Sequence, residues 1–254
     1  MVEVSKKEWY KLIKLKTVII LLFCLSLTFK LFATSPCNVV SLRCEYLTNP
    51  LGIDTKTPRL TWRLNDGRRG AKQVAFQVLV STSGQNFSTE ENLQWNSGKI
   101  YSAATFIHYN GKELQPFTTY YWKVIVWDKD SIETEASVVS SFETGMMGHN
   151  WKGAWISDAA SIHEKPAPYF RKAFKTTKKV KSARAYIAAA GLFELYINGE
   201  KIGNHRLDPA YTRFDRRTLY VVHDVTKQMA QGKNAVGVLL GNGWYNHQST
   251  AVWD

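Results

Sequence analysis

The chain has 254 residues, which is enough for two ordinary domains. Its 44% hydrophobic and 21% charged residues are typical of globular protein and exclude a disordered chain. The formal net charge of +12 does not predict nucleic-acid binding. The basic clusters at 172–181 and 213–217 lie in no nucleic-acid motif, and we interpret them as solvated strand faces.

The first 33 residues have the pattern of a secretory signal peptide. A basic segment, KKEWYKLIKLK, precedes an apolar run of thirteen residues, TVIILLFCLSLTF. This run is shorter than the about 20 residues that span a bilayer, and it suits the apolar core of a signal peptide. We therefore expect cleavage near Ala33, export to the periplasm or the exterior, and no stable membrane span after cleavage. An uncleaved membrane anchor is the alternative.

Two cysteines, Cys37 and Cys44, follow this leader. In VVSLRCEYL the residues Val40, Leu42, Cys44 and Tyr46 alternate with polar residues, which predicts a strand with Cys44 facing the core. In an extended strand the two cysteines lie about 23 Å apart. A disulfide requires α-carbons within about 7 Å, so the sequence predicts no disulfide framework.

Residues 38–146 predict an all-β sandwich. Short runs rich in β-branched and aromatic residues are separated by turn residues, and after the first strand they read PRLTWRL, KQVAFQVLVST, ATFIHY, TTYYWKVIVWD and SVVSSFET. No long helical period interrupts them. We expect a spacer or docking module without chemistry of its own.

The segment LQPFTTYYWKVIVWD is the most specific part of this domain. Tyr120, Trp122, Val124 and Val126 share one face, which we expect to be core. Leu114, Pro116 and Tyr120 have the arrangement of a tyrosine corner, in which a tyrosine at the start of a strand hydrogen-bonds back across the connection. The segment resembles the fibronectin type III pattern.

A second domain is predicted at 151–254, after GMMGHN breaks the rhythm of strands. In RAYIAAAGLFELYINGEKIG, Phe193, Leu195 and Ile197 lie on one face of a strand. Asn198-Gly199 then predicts a tight hairpin turn of the primed type.

A strand, a short helix and a further strand are predicted next. Asp224 or Thr226 is the expected N-cap of the helix, and Gly232 its expected end. The following NAVGVLL is apolar almost throughout, which predicts a strand deep in a two-sheet sandwich. It runs into the glycine-opened loop GNGWY.

This order resembles the sugar-binding jelly rolls of large glycoside hydrolases. More narrowly, CEYLTNPLGIDTKTPRLTW, YYWKVIVWD, WKGAWI, YINGEKIG, LDPAYTRFDRRTLY and LGNGWYN together resemble the N-terminal region of bacterial α-L-rhamnosidases of glycoside hydrolase family 78. The resemblance covers almost all of 40–254 in one order. It implies a fibronectin type III-like sandwich followed by a jelly roll that is incomplete here.

The resemblance also implies that catalysis lies elsewhere. In that family an (α/α)6 barrel holds the acidic pair of an inverting mechanism, which needs carboxyl groups roughly 6.5–9.5 Å apart. We expect a truncated chain without catalytic residues, inactive alone, whose partners are its missing catalytic domain and a rhamnose-containing glycan or glycoside. A stand-alone carbohydrate-binding or adhesion module, without an enzyme partner, is the alternative.

The candidate site is a carbohydrate-binding one. Sugar sites combine an aromatic platform with a few polar groups. The platform is predicted from Tyr211, Trp244 and Tyr245, and the polar groups are Asp208, Arg213 and Asn242. Among other carboxylates, Asp215 is expected to be an ion-pair partner.

Metal and cofactor sites are not predicted. The six histidines have no spacing typical of a zinc site, and neither a phosphate-binding loop nor a nucleophile motif is present. Some relatives bind rhamnose through calcium in this kind of domain, so the resemblance allows calcium, but no metal ligands match in this sequence.

The two domains are expected to differ in stability. Strands that would cover one sheet of residues 151–254 are expected to be missing. Losing cover over about 200 Å² of apolar surface costs ~5 kcal/mol, comparable with the net stability of a whole domain. We expect residues 151–254 to be marginal alone and prone to edge association, while 38–146 fold normally.

Overall fold

The computed structural model describes residues 35–159 and 167–245. Its first part contains β1 (Asn38–Cys44), β2 (Arg59–Asn65), β3 (Gln73–Ser81), β4 (Leu93–Asn96), β5 (Phe106–His108), β6 (Thr119–Asp128) and β7 (Ser140–Glu143). The second contains β8 (Tyr169–Thr176), β9 (Arg184–Ala188), β10 (Leu192–Ile197), β11 (Glu200–Lys201), β12 (Tyr220–Asp224), a short 3-10 helix (Thr226–Gln228) and β13 (Gly232–Gly241). The predicted all-β class is confirmed. The predicted signal peptide and the residues from 246 onward lie outside the described residues.

The strands of the first domain form two antiparallel sheets around one core. The sheet orders are β1-β2-β5 and β4-β3-β6-β7. Trp122, Val124 and Val126 of β6 are completely buried between them, as their alternation predicts. The sequence analysis missed β4, because a four-residue strand is too short to reveal a period.

The tyrosine corner predicted before β6 is confirmed. The backbone N–H of Gln115 donates to the Tyr120 hydroxyl at 2.7 Å. The buried Tyr120 ring stacks on Phe142 of β7, with centroids 5.3 Å apart. One side chain therefore fixes both the entry into β6 and its packing against the neighbouring strand.

The predicted alternation of β1 is partly wrong. Cys44 is buried as predicted, but Val39 rather than Val40 fills the core, and Tyr46 is exposed. Ser41 has a left-handed φ of 53°, and the register of β1 on β2 shifts just after Val40. Such a bulge reverses which side chains point inward.

Both described cysteines, Cys37 and Cys44, are free and buried, in agreement with the absence of a predicted bridge. Burial raises the pKa of the Cys44 thiol to about 12. Cys44 is therefore a neutral core thiol and not a reactive one.

The second domain packs a four-stranded sheet, β11-β10-β13-β8, against a two-stranded sheet, β12-β9. Phe193, Leu195 and Ile197 of β10 are buried between them, as predicted. Asn198 and Gly199 have φ values of 52° and 87°. Positive φ at both central residues is the type I′ geometry, so the predicted hairpin turn is confirmed.

Two details of this domain differ from the prediction. The predicted helix is a single 3-10 turn, and its N-cap residue is Val225. The Asp224 carboxylate does accept a hydrogen bond from the backbone N–H of Thr226 at 2.9 Å. Asp224 is nevertheless the last residue of β12 and not the N-cap of the turn. Gly232 begins β13 instead of ending a helix.

The strand β13 is central in its sheet but not deeply buried. It pairs with β10 on one side and β8 on the other. Val236, Val238 and Leu240 point into the core, whereas Ala235 and Gly237 point to the opposite face. Within the described residues that outer face is open and most of the strand is only partly buried, so the prediction of a strand deep in the sandwich is wrong.

The domains meet at the outer face of the β9–β12 sheet. Arg184 of β9 forms a salt bridge with Glu143 of β7, with Nη2 and Oε2 2.8 Å apart. The Tyr220 hydroxyl of β12 donates to Asp54 Oδ2 at 2.7 Å and accepts the backbone N–H of Met146 at 2.8 Å. We call the contacts of these five residues the joint.

The backbone around the joint is closely packed. A Cβ at Gly145 would overlap the Tyr220 hydroxyl, and a Cβ at Gly52 would lie 2.7 Å from Val222 of β12. The β9–β12 sheet is thus covered on one face by its own domain and on the other by the first domain.

Candidate functional site

Four aromatic side chains from two loops meet beside the four-stranded sheet. The loop between β11 and β12 supplies Tyr211 and Phe214, and the loop after β13 supplies Trp244 and Tyr245. Ring centroids are 6.3 Å apart for Tyr211 and Trp244, 5.8 Å for Tyr211 and Phe214, and 5.7 Å for Phe214 and Tyr245. We call this group the aromatic cluster.

The structure brings together the three aromatic residues that the sequence singled out. Tyr211 is 49% exposed, Trp244 62% and Tyr245 54%, so the cluster forms a surface and not a core. Sequence reasoning missed Phe214, whose ring lies between those of Tyr211 and Tyr245. Phe214 follows Tyr211 by three residues in a loop rich in basic and aromatic residues, and this proximity in sequence could have identified it.

Close backbone packing holds the second loop in place. Gly191, just before β10, has a φ of 98°, and a Cβ there would lie 2.5 Å from the carbonyl oxygen of Gly241. The same Cβ would lie 2.8 Å from the carbonyl oxygen of Asn242. That carbonyl accepts the N–H of Tyr245 at 3.1 Å, which closes a turn. Gly191 therefore lets the loop begin directly against β10.

Two of the predicted polar residues have polar partners in the same loop: Arg213 forms an ion pair, and Asp208 contacts a histidine ring. Arg213 Nε donates to Asp215 Oδ1 at 2.9 Å, as expected for Asp215. This hydrogen bond lowers the pKa of the Asp215 carboxyl. Asp208 Oδ2 lies 3.0 Å from His205 Nδ1. The structure thus gives Arg213 and Asp208 partners of their own.

Asp208 is tied to the sheet through its backbone. Its carbonyl oxygen accepts the N–H of Phe193 at 2.9 Å, and its peptide bond to Pro209 is cis. His205 in turn lies 6.2 Å, centroid to centroid, from the buried ring of His223. Burial lowers the pKa of His223, so this ring is neutral at pH 7.

The carboxylates near the loops do not form an acid–base pair in the described residues. Asp208 and Asp215 have the partners named above, and Asp224 lies 3.1 Å from Arg184 Nη1. Burial raises the pKa of Asp224, but hydrogen bonds from Thr226 and the charge of Arg184 lower it overall. Asp215 and Asp224 are consequently ionised, and neither is a proton donor at neutral pH.

Calcium has no evident ligand set in the part of the chain that the structure describes. No group of three or more His, Cys, Asp or Glu residues there is placed to hold a metal ion. The described residues also form no helix that is both long and apolar enough to cross a bilayer.

Two family models match the chain. Residues 39–148 match the Rha78A-like N-terminal immunoglobulin domain, and residues 178–253 match the alpha-L-rhamnosidase N-terminal domain. Immunoglobulin and fibronectin type III domains share the two-sheet sandwich architecture, so the first match agrees with the observed sheets.

Curated relatives are rhamnosidases of greater length. The chain is 36% identical to an alpha-L-rhamnosidase of Formosa agariphila over 222 residues, which are 78% of the chain and 23% of that protein. It is 32% identical to an alpha-L-rhamnosidase of Alteromonas sp., again over 23% of that protein and 80% of the chain. The chain therefore spans about a quarter of the length of these relatives.

Solved structures of α-L-rhamnosidases also match the chain over about a quarter of their own length. The alpha-L-rhamnosidase from Dictyoglumus thermophilum matches 82% of the chain with a TM-score of 0.74 and 43% sequence identity, over 26% of its own length. The enzyme from Aspergillus terreus matches 82% of the chain with a TM-score of 0.69 and 26% identity, over 24% of its length. Both described domains thus have counterparts in one contiguous region of larger proteins.

Proposed function

The chain belongs to the N-terminal, non-catalytic region of the α-L-rhamnosidase family, and on this premise we propose that its second domain binds rhamnosyl-containing carbohydrate at the aromatic cluster. In the whole protein this binding positions the glycan or glycoside for hydrolysis of its terminal α-L-rhamnosyl residue, with inversion. The observation that carries the proposal is the meeting of four aromatic rings from two loops on an open surface. Exposed apolar groups that cluster in this way are typical of interaction sites.

The polar groups of the loops support an uncharged ligand. The Arg213 side chain is paired with Asp215, and Asp208 Oδ2 is in contact with His205 Nδ1, so both side chains already have a polar partner within the loop. A sugar hydroxyl can both donate and accept hydrogen bonds and therefore suits such groups. The neutral face of a deoxy sugar ring suits the aromatic surface.

A titration tests this proposal. Methyl α-L-rhamnoside is added to the full chain, and tryptophan fluorescence and amide chemical shifts are followed. We expect saturable changes at 211–214 and 242–245, lost in Trp244→Ala. Trp155→Ala is the matched control, because Trp155 is 70% exposed and precedes β8, outside the two loops of the aromatic cluster. Equal responses of both variants, or no saturation, would contradict the proposal.

We propose that the glycosidic bond is cleaved by a catalytic domain outside this chain. The polar partners of Asp208, Asp215 and Asp224 support this, since within the described residues no two of these carboxylates form a free acid and base. The purified chain is expected to release no product from an aryl α-L-rhamnoside. Turnover that survives rigorous purification and disappears on mutation of Asp208 or Asp215 would overturn this expectation.

We further propose that the protein is exported, on the basis of the basic and apolar segments in its first 33 residues. N-terminal sequencing of the protein from its host is expected to begin within a few residues of Thr34. An intact Met1 in a membrane fraction would instead support an anchor.

A further inference from the structure

The outer face of the four-stranded sheet carries a second surface feature, distinct from the aromatic cluster. Two open hollows of about 410 and 350 Å³ adjoin there and share Arg171 and Ala235. Gly237 of β13 is the register partner of Tyr196 on β10 and of Arg171 on β8. We call this depression the outer trough; its floor is formed by Ala173, Ala235 and Gly237, and its sides by Tyr169, Arg171 and Tyr196.

The glycine in the floor has no internal explanation in the described residues. Its φ is not left-handed, and an added Cβ would lie 3.7 Å from the Tyr196 Cβ and 4.0 Å from the Phe170 carbonyl oxygen, which is ordinary contact. Neither backbone conformation nor packing therefore demands glycine at Gly237. Glycine weakens a strand, and inside one it often marks a bulge, a bend, or a place that a ligand or another backbone approaches closely.

The charge around the outer trough is unbalanced. Lys175 and Lys233 are direct cross-strand partners on this face, and like charges in that position repel each other. Within the described residues neither they nor Arg171 form an ion pair. An anion bound between them would relieve this repulsion.

The acidic group on the same face is already engaged. Glu194 forms a salt bridge with Lys201 and accepts the Tyr196 hydroxyl at 2.7 Å. These contacts lower the pKa of Glu194 and hold the Tyr196 ring at the side of the trough. The Tyr169 side chain is 79% exposed on the adjoining edge strand. The face thus combines two tyrosine side chains with three cations that form no ion pair in the described part of the chain.

We propose that the outer trough binds an acidic polysaccharide, one whose sugars carry carboxylate or sulfate groups. Arginine and lysine pair with such anions, and tyrosine rings cover the apolar faces of sugars. The sides lie on strands two spacings apart, roughly 9.5 Å between backbones. This is narrower than a helix with its side chains, about 10–12 Å, and favours a single glycan chain over a helical protein partner. The ligand and the surface both differ from those of the aromatic cluster, so the two proposals fail independently.

Polygalacturonate tests the inference, with fully methyl-esterified polygalacturonate as the uncharged matched ligand. Binding to the full chain is measured by calorimetry and by affinity electrophoresis. We expect polygalacturonate to bind and the ester to bind at least 10-fold more weakly. The double variant Lys175→Gln/Lys233→Gln is expected to lose at least 10-fold in affinity. A control with two exposed lysines of the first domain, Lys56→Gln/Lys72→Gln, should change affinity less than 2-fold.

Gly237→Val separates a shaped site from general attraction to a basic protein. It fills the floor without changing charge and suits a strand, so the melting temperature should not fall, while affinity should fall at least 10-fold. Unchanged affinity in a folded Gly237→Val protein, or equal binding of the ester, would overturn the inference. Unaltered polygalacturonate binding in the Lys175→Gln/Lys233→Gln variant would also overturn the inference. This second test still applies if Gly237→Val does not fold.

Discussion

The two domains reach stability in different ways. In the first, Leu60, Trp122 and Val124 have no exposed surface, and sheets on both sides supply the cover. In the second, the six residues of the buried cluster retain 3–8% exposure. The first domain therefore has a core of its own, whereas the second has a shallower one.

The joint compensates for part of this difference. The β9–β12 sheet of the second domain lies against the first domain through Arg184 and Tyr220. The side chain of Glu143 is 7% exposed, so its ion pair with Arg184 is largely shielded from solvent. The second domain is therefore stabilised in part by residues of the first domain, outside its own sequence.

Removing the largest core side chain of the first domain should have the greatest effect. Trp122→Ala is expected to cost about 3–5 kcal/mol of unfolding free energy, and Leu195→Ala of the second domain about 2 kcal/mol, near the low end for its class. Because the second domain depends on the first, Trp122→Ala should reduce amide protection in both domains. Leu195→Ala should reduce it in the second alone. Hydrogen exchange with peptide-level readout measures this, and loss of protection in both domains from Leu195→Ala would contradict the comparison.

Trp122→Phe is the matched control, because it keeps an aromatic side chain at this position. The Nε1 atom of Trp122 is buried with no hydrogen-bond partner in the described residues. Trp122→Phe gives up no hydrogen bond and leaves a smaller cavity, so it should cost clearly less than Trp122→Ala.

Gly145→Ala should separate the domains. Its methyl group would overlap the Tyr220 hydroxyl and lie 2.7 Å from Asp54 Oδ1, and such overpacking costs about 1–3 kcal/mol. We expect trypsin to digest 151–254 first in the unaltered chain, leaving a core that ends near Met146, and to do so several-fold faster in the variant. Gly67→Ala is the matched control, because φ at Gly67 is not left-handed and an added Cβ would meet nothing within 4 Å. Equal protection of both domains would mean that the second closes on its own.

Removing one oxygen from the joint should have a smaller effect. Tyr220→Phe deletes a hydroxyl that both donates to Asp54 and accepts from Met146, at an expected cost of about 1–2 kcal/mol in thermal or urea unfolding. The same substitution removes the Tyr220 hydroxyl oxygen, which is the atom that the added methyl group of Gly145→Ala would overlap. The double variant should therefore be more stable than the sum of the single costs predicts. Simple additivity would place the strain of Gly145→Ala elsewhere.

The sequence predicted the features that depend on near neighbours. The Tyr120 corner, the Asn198-Gly199 turn and the inward face of β10 all follow from local spacing. The aromatic residues of the candidate site were likewise visible, although their meeting was not. Binding at these residues stays a prediction.

Features that depend on distant partners escaped the sequence analysis. The bulge at Ser41 reverses a face through the pairing of β1 with β2. The Arg184–Glu143 pair joins residues 41 positions apart, and nothing local to either marks the other. The run NAVGVLL predicts a deeply buried strand, but an apolar run does not reveal which neighbours cover each face, and the outer face of β13 is open in the described residues.

Acid titration should reveal the same difference between the two domains. In the first domain, burial raises the pKa of Asp128, but hydrogen bonds from Ser35 and Arg68 outweigh it and lower the pKa from 3.8 to about 2. A depressed carboxyl pKa stabilises the fold above pH 4, and that contribution, about 2 kcal/mol, is lost as the pH falls from 4 toward 2.

The second domain should respond at a higher pH. Burial lowers the pKa of His223 below its ordinary value of 6.5, with Asp208 opposing and His205 adding to the shift. His223 therefore binds a proton more readily in the unfolded chain than in the folded domain. For this reason the stability of the second domain falls as the pH drops below about 6.5. We expect exchange protection in 184–240 to weaken between pH 6.5 and 5 while that of β3 and β6 holds until below pH 4. His223→Gln should abolish the first step and leave the second. A single acid transition below pH 4 in the unaltered chain would show that the folded second domain accepts the proton, and that its core is more open to water than the buried position of His223 implies.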